Sequence, residues 1–348
     1  MTYSVRFNLK RKAVPKILGI ILLFSLLACA VSFAHAATYT FVLKWGSFGT
    51  ESGQLNHPYD VAVDGSGSTI YVADTYNHRI QKYTNTGVLL GSWGSLGTNN
   101  GQFNYTMGVV VDAGGNVYVT DACNNRIQKF TSNGAFLATW GNSGKGEGQF
   151  SYPYDVALDD QGNVYVTDAG NHRVQKFDSD GVFLTQWGSY GSAEGQFIYP
   201  HGVAIDAHGN VYVADYNNHR IQKFTSNGEY IAQWGSYGAG NGQLKNPKDV
   251  EVDDSGNVYV GDYYNHRIQK FTDAGVFIAT LGSNGDGDGQ FSTPKGLAID
   301  HAGNVYVADT GNSRIQKFQL EPKQHVYLSD SAVVATALAI AAIVLKKR

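Results

Sequence analysis

One sequence motif occurs six times in the chain at a constant interval of 47 residues. The motif reads Asp-x-x-Asn-x-Arg-Ile/Val-Gln-Lys-Tyr/Phe, and its copies begin at Asp74, Asp121, Asp168, Asp215, Asp262 and Asp309. Six units of this length account for 282 of the 348 residues, from about Tyr39 to Leu320. Such a unit buries its apolar face against its neighbours, so the chain is constrained to a repeat architecture.

Each unit has the pattern of four short β-strands. In the third unit, apolar and β-branched runs cover residues 155–159, 164–167, 173–177 and 182–187. Turn sequences rich in Gly, Asn and Asp separate these runs, which accounts for many of the 42 glycines. Each unit is therefore predicted to be a four-stranded antiparallel sheet. Repeats of about 40–50 residues with four strands are typical of propeller blades.

The two ends of the repeat array predict how the ring closes. The sixth unit ends after the run from Arg314 to Phe318 and has no fourth strand of its own. A sequence typical of a fourth strand, Tyr39 to Trp45, stands before the first unit. Because a closed ring leaves no open sheet edges, we expect this N-terminal strand to complete blade six. The predicted fold is all-β, a six-bladed β-propeller of four-stranded antiparallel blades over residues 37–320.

Four of the motif copies contain an Asn-His-Arg sequence, at residues 77–83, 171–177, 218–224 and 265–271. These segments resemble NHL repeats, and upstream segments such as Val-Tyr-Val-Ala-Asp match that family too. The resemblance covers about 282 of the 348 residues and implies a six-bladed propeller. Asn125 and Ser313 replace the His in blades two and six, so the resemblance does not establish a required role for that His.

Propellers of this class have several functions. The resemblance implies several possible functions, because propellers of this class include metal lyases, in which His side chains from several blades converge on the central channel. Others are attached to ubiquitin ligases, RNA regulators or bacterial sensor kinases. The sequence has neither the cysteines of a RING domain nor a kinase domain. His57 precedes a proline whereas His201 follows one, so the two His are not at equivalent positions and do not form a zinc-site pattern.

Residues 1–36 have the pattern of a secretory signal. Basic residues between Arg6 and Lys16 precede an apolar stretch from Ile17 to Leu27, and Ala34-His35-Ala36 matches a cleavage site. Two alternatives stay open: lipidation at Cys29, which follows Leu26-Leu27-Ala28, and an uncleaved N-terminal anchor.

The C-terminus has the pattern of a membrane anchor. After a linker over residues 321–331, the segment 332–348 contains an apolar stretch that ends in Lys346, Lys347 and Arg348. The stretch is short for a membrane-spanning helix, and a packed C-terminal helix is the alternative. Basic residues after the stretch predict a cytoplasmic C-terminus. The segment resembles prokaryotic surface-sorting tails, so we predict a secreted, membrane-anchored prokaryotic protein with an extracytoplasmic propeller.

The charge of the predicted extracytoplasmic part argues against one class of partner. Residues 1–36 hold five of the 26 basic residues and the tail holds three, which leaves 18 basic against 29 acidic residues in 37–330. The resulting net charge of −11 lacks the basic surface that nucleic-acid binding needs. We therefore expect no nucleic-acid partner.

The Asp and Arg of the motif are predicted to have a structural role. The Asp ends one strand and the Arg begins the next, so a charge-assisted hydrogen bond between them would stabilise the intervening turn. We interpret a feature that is present in all six blades as part of the structural frame rather than as an active site. The six predicted pairs are Asp74 with Arg79, Asp121 with Arg126, Asp168 with Arg173, Asp215 with Arg220, Asp262 with Arg267, and Asp309 with Arg314.

Asp alternates with Gly around the predicted ring, two residues after each Pro or its equivalent. The positions are Asp60, Gly108, Asp155, Gly202, Asp249 and Gly296. If these side chains face the channel, the three carboxylates would provide oxygen ligands for calcium or another divalent cation. The alternative is that the carboxylates are solvated or accept hydrogen bonds from neighbouring backbone.

Aromatic residues that differ between the repeats concentrate in segments predicted to share one face. Loops on a rigid scaffold commonly carry recognition, and Tyr suits contact with peptides or sugars. We therefore predict a cell-surface module that binds a protein, peptide or glycan, without catalytic residues. The alternatives are a metal-dependent lyase or lactonase-like hydrolase with its site at the channel, and a purely structural surface-layer role. The predicted ligand-binding residues are Tyr59, Tyr76, Tyr154, Tyr190, Tyr199, Tyr237, Tyr263, Tyr264, Lys248 and Lys295.

Overall fold

The computed structural model describes residues 39–321, and the predicted signal sequence, most of the linker and the predicted C-terminal anchor lie outside them. The described residues form six sheets of four antiparallel strands. Inner strands of successive blades contact one another all the way round, from blade one to blade six and back to blade one. The predicted six-bladed β-propeller is therefore confirmed. Within residues 39–321, no helix is long and apolar enough to cross a membrane.

Each of the first five blades uses four strands in chain order, from the channel outwards. Blade one contains β2 (Pro58–Val63), β3 (Thr69–Asp74), β4 (Arg79–Thr84) and β5 (Leu89–Trp93). Blade two contains β6 (Thr106–Val111), β7 (Val117–Asp121), β8 (Arg126–Phe130) and β9 (Phe136–Trp140). Blade three contains β10 (Pro153–Leu158), β11 (Val164–Asp168), β12 (Arg173–Phe177) and β13 (Phe183–Trp187).

The later blades have the same arrangement. Blade four contains β14 (Pro200–Ile205), β15 (Val211–Asp215), β16 (Arg220–Phe224) and β17 (Tyr230–Trp234). Blade five contains β18 (Pro247–Val252), β19 (Val258–Asp262), β20 (Arg267–Phe271) and β21 (Phe277–Leu281). Blade six contains β22 (Leu297–Ile299), β23 (Val305–Asp309), β24 (Arg314–Leu320) and, as its outer strand, β1 (Tyr39–Trp45).

The N-terminal strand closes the ring as the sequence predicts. β1 pairs antiparallel with β24, with Tyr39 opposite Leu320 and Trp45 opposite Ile315. A register shift between Phe41 and Leu43 interrupts the ladder once. The outer edge of blade six is thus built from the first strand of the chain, and the sheet has its full four strands.

The two ends of the propeller carry different segments. A single turn of 3₁₀ helix joins the second and third strands of each blade, at Thr75–Asn77, Ala122–Asn124, Ala169–Asn171, Tyr216–Asn218, Tyr263–Asn265 and Thr310–Asn312. These turns contact the loops that connect successive blades; Asn77 Nδ2, for example, donates to the carbonyl of Gly49 at 2.9 Å. We call this end the upper face. The other turns lie at the opposite end, the lower face, where β1 begins and β24 ends.

The hydrophobic core lies between the blades. A typical cluster combines Tyr165 and Val174 of blade three with Val203 and Phe224 of blade four. Trp187 at the end of β13 packs against both blades, with ring centroids 6.3 Å from Tyr165 and 6.0 Å from Phe224. In blade three, β11 is buried at every position, whereas the outer strand β13 alternates between partly buried and exposed residues. The inner strands therefore have apolar side chains on both faces, because each sheet packs between two others.

A buried carboxylate holds the upper face of each blade together. In blade three, Asp168 is fully buried and accepts hydrogen bonds from the Ser151 backbone N–H at 2.7 Å and from Asn171 and Arg173 at 2.8 Å. Gln175 donates a further bond at 3.2 Å. The predicted Asp–Arg contact is present in all six blades, at 2.7 or 2.8 Å.

The Arg of the motif extends this network into the loop that precedes its own blade. Arg173 donates to the carbonyl oxygens of Lys145, Gly146 and Gln149 at 2.7–2.9 Å. Gln175 donates to the Gln149 carbonyl as well. The motif therefore stabilises a Gly-rich loop that has few side chains of its own to hold it.

The His of the NHL-like sequence links neighbouring blades. Nδ1 of His172 accepts the backbone N–H of Tyr199 in the next blade at 3.1 Å. Both residues have left-handed backbone conformations, with φ of 58° and 57°. In blade two, Oδ1 of Asn125 accepts the equivalent N–H of Tyr152 at 2.8 Å. Asn at this position therefore supplies the same acceptor, which explains how that repeat departs from the motif without losing the contact.

Removing the buried carboxylate should destabilise the fold strongly. In the Asp168→Ala variant, Arg173 keeps its burial but loses its anionic partner, and the Ser151 N–H loses its acceptor. We expect the free energy of unfolding to fall by about 3–5 kcal/mol, measured by urea denaturation at neutral pH. Asp180→Ala, at an exposed turn, should change it by less than about 0.5 kcal/mol. Equal midpoints for the two variants would contradict the structural role.

The interblade His residues should make stability depend on pH. Burial lowers the pKa of His78, His172 and His219 below 6.5. A lowered pKa means that folding favours the neutral acceptor form. The stability that these neutral acceptors contribute to the fold is therefore fully present above pH 6.5, and it is lost as the pH falls through the lowered pKa.

We expect the Tm to fall on acidification from about pH 7 to about pH 5, and to fall less in the triple variant His78→Asn, His172→Asn, His219→Asn. This variant copies the acceptor that Asn125 supplies in blade two. Differential scanning calorimetry across that range measures the difference. An identical decline in both proteins would rule out these His residues as the titrating groups.

Candidate functional site

Six side chains from equivalent positions in the repeats surround the upper mouth of the central channel. They follow the Pro or Thr that begins each inner segment: Tyr59, Met107, Tyr154, His201, Lys248 and Lys295. All of them except His201 line a space above the next layer of side chains, with an empty volume of about 220 Å³ that includes open solvent. The mouth is therefore aromatic on one side and cationic on the other.

The two lysines at the mouth, which we call the amine pair, lie against tyrosine rings. Nζ of Lys295 is 3.1 Å from the ring centroid of Tyr59. Nζ of Lys248 is 4.2 Å from the centroid of Tyr216 and 5.2 Å from that of Tyr263. Burial lowers the pKa of Lys248 to about 7, and burial together with the nearby Lys248 charge lowers that of Lys295 to about 6.

His201 lies beside the amine pair in an aromatic stack. Its ring is 3.8 Å from the ring of Tyr154 and nearly parallel to it, at 7°, and its centroid lies 4.2 Å from that of Tyr216. Within the described part of the chain, neither Nδ1 of His201 nor the hydroxyl of Tyr154 has a hydrogen-bond partner. Burial lowers the pKa of His201 well below its ordinary value, because a charged imidazole would be desolvated there.

The three alternating aspartates form a carboxylate layer directly below the mouth. Asp155 accepts the backbone N–H of Val156 with one oxygen at 2.8 Å and that of Val203, in the next blade, with the other at 2.9 Å. Asp60 and Asp249 bridge blades one to two and five to six in the same way. The layer therefore links the inner strands in three pairs.

Glycine alternates with aspartate because the layer has no room for six side chains. A Cβ at Gly202 would lie 2.5 Å from the Cα of Asp249 and 2.7 Å from the backbone N of Val250. Burial is the largest cause that raises the pKa of each aspartate, and it raises that of Asp155 to about 7. Mutual repulsion raises the pKa of Asp60 and Asp249 further.

The predicted cation site coincides with this layer. The structure brings Asp60, Asp155 and Asp249 to the channel, with their oxygens accepting backbone N–H groups, which is the arrangement that the sequence left open as the alternative. Among residues 39–321, no group of three or more His, Cys, Asp or Glu side chains has the arrangement of a metal site. Cation binding by these aspartates stays a prediction.

Below the carboxylate layer the channel widens into a largely apolar chamber, with Asp60, Asp155 and Asp249 at its upper end and one further acidic residue, Glu251, in its wall. The chamber has an empty volume of about 590 Å³, including space open to solvent, and Val and Ala side chains form most of its wall. Glu251 is the exception, at the position that Ala62, Val110 and Ala157 occupy in blades one to three. Burial, together with the charge of Asp155, raises the pKa of Glu251 to about 8.

The remaining predicted tyrosines lie further out on the upper face. Tyr190 and Tyr237 are 67% and 63% exposed, and each contacts a motif His, with ring centroids 5.1 Å from His172 and 5.0 Å from His219. Tyr199 packs against His172 as well. Among the described residues, every exposed large aromatic side chain belongs to the upper face: Phe48, Tyr76, Tyr152, Tyr190, Tyr199, Tyr237 and Tyr264.

The ten predicted ligand residues therefore form two sets. Tyr59, Tyr154, Tyr263, Lys248 and Lys295 line the channel mouth, where Tyr154 and Lys295 are buried. Tyr76, Tyr190, Tyr199, Tyr237 and Tyr264 form an exposed outer set.

Several side chains at these sites are not among the residues that the sequence predicts. The sequence offers His201 only as a candidate zinc ligand, and its motifs do not include Tyr216, Met107 or Glu251. Comparing the repeats position by position could have found Glu251, because Ala or Val occupies its place in the other five. The same comparison singles out Tyr216, where blades one to three have Thr or Ala. The stack of His201 on Tyr154 joins two repeats and has no signal in either one.

A closed ring of six four-stranded blades, built from one repeated motif around a channel, defines the chain as a six-bladed repeat propeller. The sequence model of the NHL repeat matches it at residues 55–83, 103–130, 150–177, 197–224, 244–271 and 291–318. The chain therefore belongs to the NHL repeat family. No protein of curated function shows significant sequence similarity to it.

Solved structures of low identity share the fold. A virginiamycin B lyase from Staphylococcus aureus is 13% identical and has a TM-score of 0.56, with 81% of this chain and 100% of that chain covered. A gluconolactonase from Xanthomonas campestris is 15% identical, with a TM-score of 0.58 and coverage of 83% and 99%. A protein of unknown function from Bacteroides thetaiotaomicron is 18% identical, with a TM-score of 0.62 and coverage of 82% and 76%. These likenesses show the fold alone, and the enzyme interpretation stays a prediction.

Filling one glycine position should distort the carboxylate layer. Because the new Cβ of Gly202→Ala would overlap the Asp249 backbone, we expect a loss of about 1–3 kcal/mol or more in urea unfolding. Gly91→Ala is the matched control, since a Cβ there meets no atom within 4 Å. Unchanged stability of Gly202→Ala would show that the layer has more space than the structure gives it.

Proposed function

We propose that this NHL propeller is a cell-surface recognition module that binds a peptide or glycan through its upper face. The observation that supports this function is the distribution of exposed side chains. Among the described residues, every exposed large aromatic side chain belongs to the upper face, together with the aliphatic Leu96, whereas exposed aliphatic residues such as Leu90 and Leu184 belong to the outer strands. Tyr is enriched where proteins bind partners, because its ring is apolar and its hydroxyl forms hydrogen bonds.

Variation between the blades also favours recognition at this face. The Asp, Asn, Arg and Gln of the motif are the same in all six blades, but one position in the connecting loops holds Phe48, Leu96, Ser143, Tyr190, Tyr237 and Asn284. The frame is therefore constant while the exposed side chains differ. Tyrosines of the outer set are densest over blades three to five, where Tyr190, Tyr199, Tyr237 and Tyr264 lie.

The positions of the chain ends support surface anchoring. β1 begins and β24 ends at the lower face, with Tyr39 paired to Leu320. An anchor attached beyond residue 321 would therefore connect to the lower face. The aromatic face would then point away from the membrane and towards partners outside the cell.

Loss of two outer tyrosines should weaken binding. We expect the purified propeller to bind members of a glycan array or a peptide array, and the variant Tyr190→Ala/Tyr237→Ala to bind the same members at least about fivefold more weakly. Two aromatic contacts of about 0.5–1.5 kcal/mol each account for that factor.

Leu90→Ala/Leu184→Ala removes exposed apolar side chains from the outer strands and is the matched control, with no expected loss. Circular dichroism melts of both variants check that the fold is intact. Retained affinity after replacement of Tyr76, Tyr190, Tyr199, Tyr237 and Tyr264 together would overturn the proposed function.

A further inference from the structure

We propose that the channel mouth binds the carboxylate group of an acidic sugar between Lys248 and Lys295. This inference rests on the proposed function and names the class of ligand for the centre of the same face. The site consists of the amine pair, the tyrosine rings against which the amines lie, and His201.

The amine pair has no counter-charge in the protein. In each Asp–Arg pair of the frame, the two opposite charges are in contact. Within residues 39–321, by contrast, neither Lys248 nor Lys295 forms an ion pair, although Lys295 is only 6% exposed. Their nearest partners are ring faces, which attract a cation but do not replace a carboxylate. Two buried amines without an anion carry a desolvation cost that a bound carboxylate would offset.

Further polar groups at the mouth also lack partners. Nδ1 of His201 and the hydroxyl of Tyr154 are buried, with residues 7% and 9% exposed, and neither has a hydrogen-bond partner within the described residues. Buried polar atoms are nearly always satisfied in native proteins, so each unsatisfied one calls for a ligand or water. Hydroxyl and carboxylate oxygens of a sugar acid would provide the missing partners.

The aspartates below do not neutralise the amines. Each oxygen of the carboxylate layer is within hydrogen-bond distance of a backbone N–H, and none of the three side chains forms an ion pair with Lys248 or Lys295. The other titratable groups that face the amine pair are His57, His201 and the neighbouring tyrosines. Burial, together with the nearby Lys295 charge, lowers the pKa of both His. All of these groups are neutral or cationic when the lysines are charged, so an anion would be favoured above the layer.

The geometry favours a sugar over a peptide chain. One common mode of peptide binding adds an extended peptide to a free sheet edge, but the closed ring leaves no edge at the mouth. Instead, the mouth offers flat aromatic rings, two amines and a few polar groups at an opening to solvent. Ring faces beside a few convergent polar groups suit a sugar that packs over the opening and directs its one charged group towards the amines.

The direct test is titration at about pH 6 with D-glucuronate, with glucose as the neutral probe, by isothermal titration calorimetry and ligand-observed NMR. We expect glucuronate to bind at least tenfold more tightly than glucose, and Lys248→Met or Lys295→Met to remove that preference. Lys245→Met is the control, because Lys245 lies over Tyr237 and Tyr264 in the outer set. Equal binding of glucose and glucuronate would overturn the carboxylate site.

Measurements on the wild-type protein test the same proposal without variants. The amines bind a carboxylate as ammonium groups, and the pKa values in the free protein are about 7 and about 6. Affinity for glucuronate should therefore fall by at least about tenfold between pH 6 and pH 8, with proton uptake seen as a buffer-dependent heat. Affinity that does not change over this range would contradict the role of the amines.

Two further outcomes separate this inference from the proposed function. If a short peptide with a free C-terminus binds the amine pair and glucuronate does not, the sugar assignment is wrong. If ligands found on the arrays bind Lys248→Met/Lys295→Met as well as wild type, but lose affinity with Tyr190→Ala/Tyr237→Ala, the channel-mouth inference fails and the proposed function stands.

Discussion

The rest of the molecule depends on a carboxylate that is buried at the upper end of every blade. Asp168 and its five equivalents gather donors from the backbone, from Asn and Gln amides and from an arginine. A buried charge is tolerated only when hydrogen bonds and an opposite charge compensate for the lost water. Here the donors to one carboxylate come from a turn, from the start of a strand and from a loop, so the carboxylate holds these three segments together. The inner strand begins immediately after that loop, so the position of every channel side chain follows from this contact.

The proposed function depends on departures from the repeat. Residues common to all six blades form the frame, whereas the channel mouth is built where the repeats differ: two lysines, a histidine, two tyrosines and a methionine share one structural position. The aspartates show an intermediate case, since they occur in every second blade and impose threefold order on a sixfold ring. Steric exclusion enforces this order, because an aspartate in one blade occupies the space above the glycine of a neighbour.

Most of the fold could be predicted from the sequence, and much of the site could not. The 47-residue interval, the four-strand pattern and the unpaired strand from Tyr39 to Trp45 are local features, and they determine a closed six-bladed ring. The partners of a channel side chain come from other repeats, so the sequence shows the alternation of Asp and Gly but not the two N–H groups that each carboxylate accepts. The shifted pKa values of Lys248 and Lys295 depend on burial, which the residue types alone do not reveal. The role of the motif His likewise depends on a contact between blades, which the sequence does not show. The same contact explains why Asn125 can replace the His.

The strand that closes the ring affects the order in which the protein can fold. β1 is the first of the described strands to leave the ribosome, but its partner β24 is the last, with Tyr39 opposite Leu320. Blades one to five each contain only consecutive strands, so they can form as the chain emerges. Blade six must wait for the final repeat, and closing so long a loop is entropically costly and slow. Until then β1 is an apolar strand without a partner, so completion of synthesis itself decides when this strand is paired and protected from misassembly.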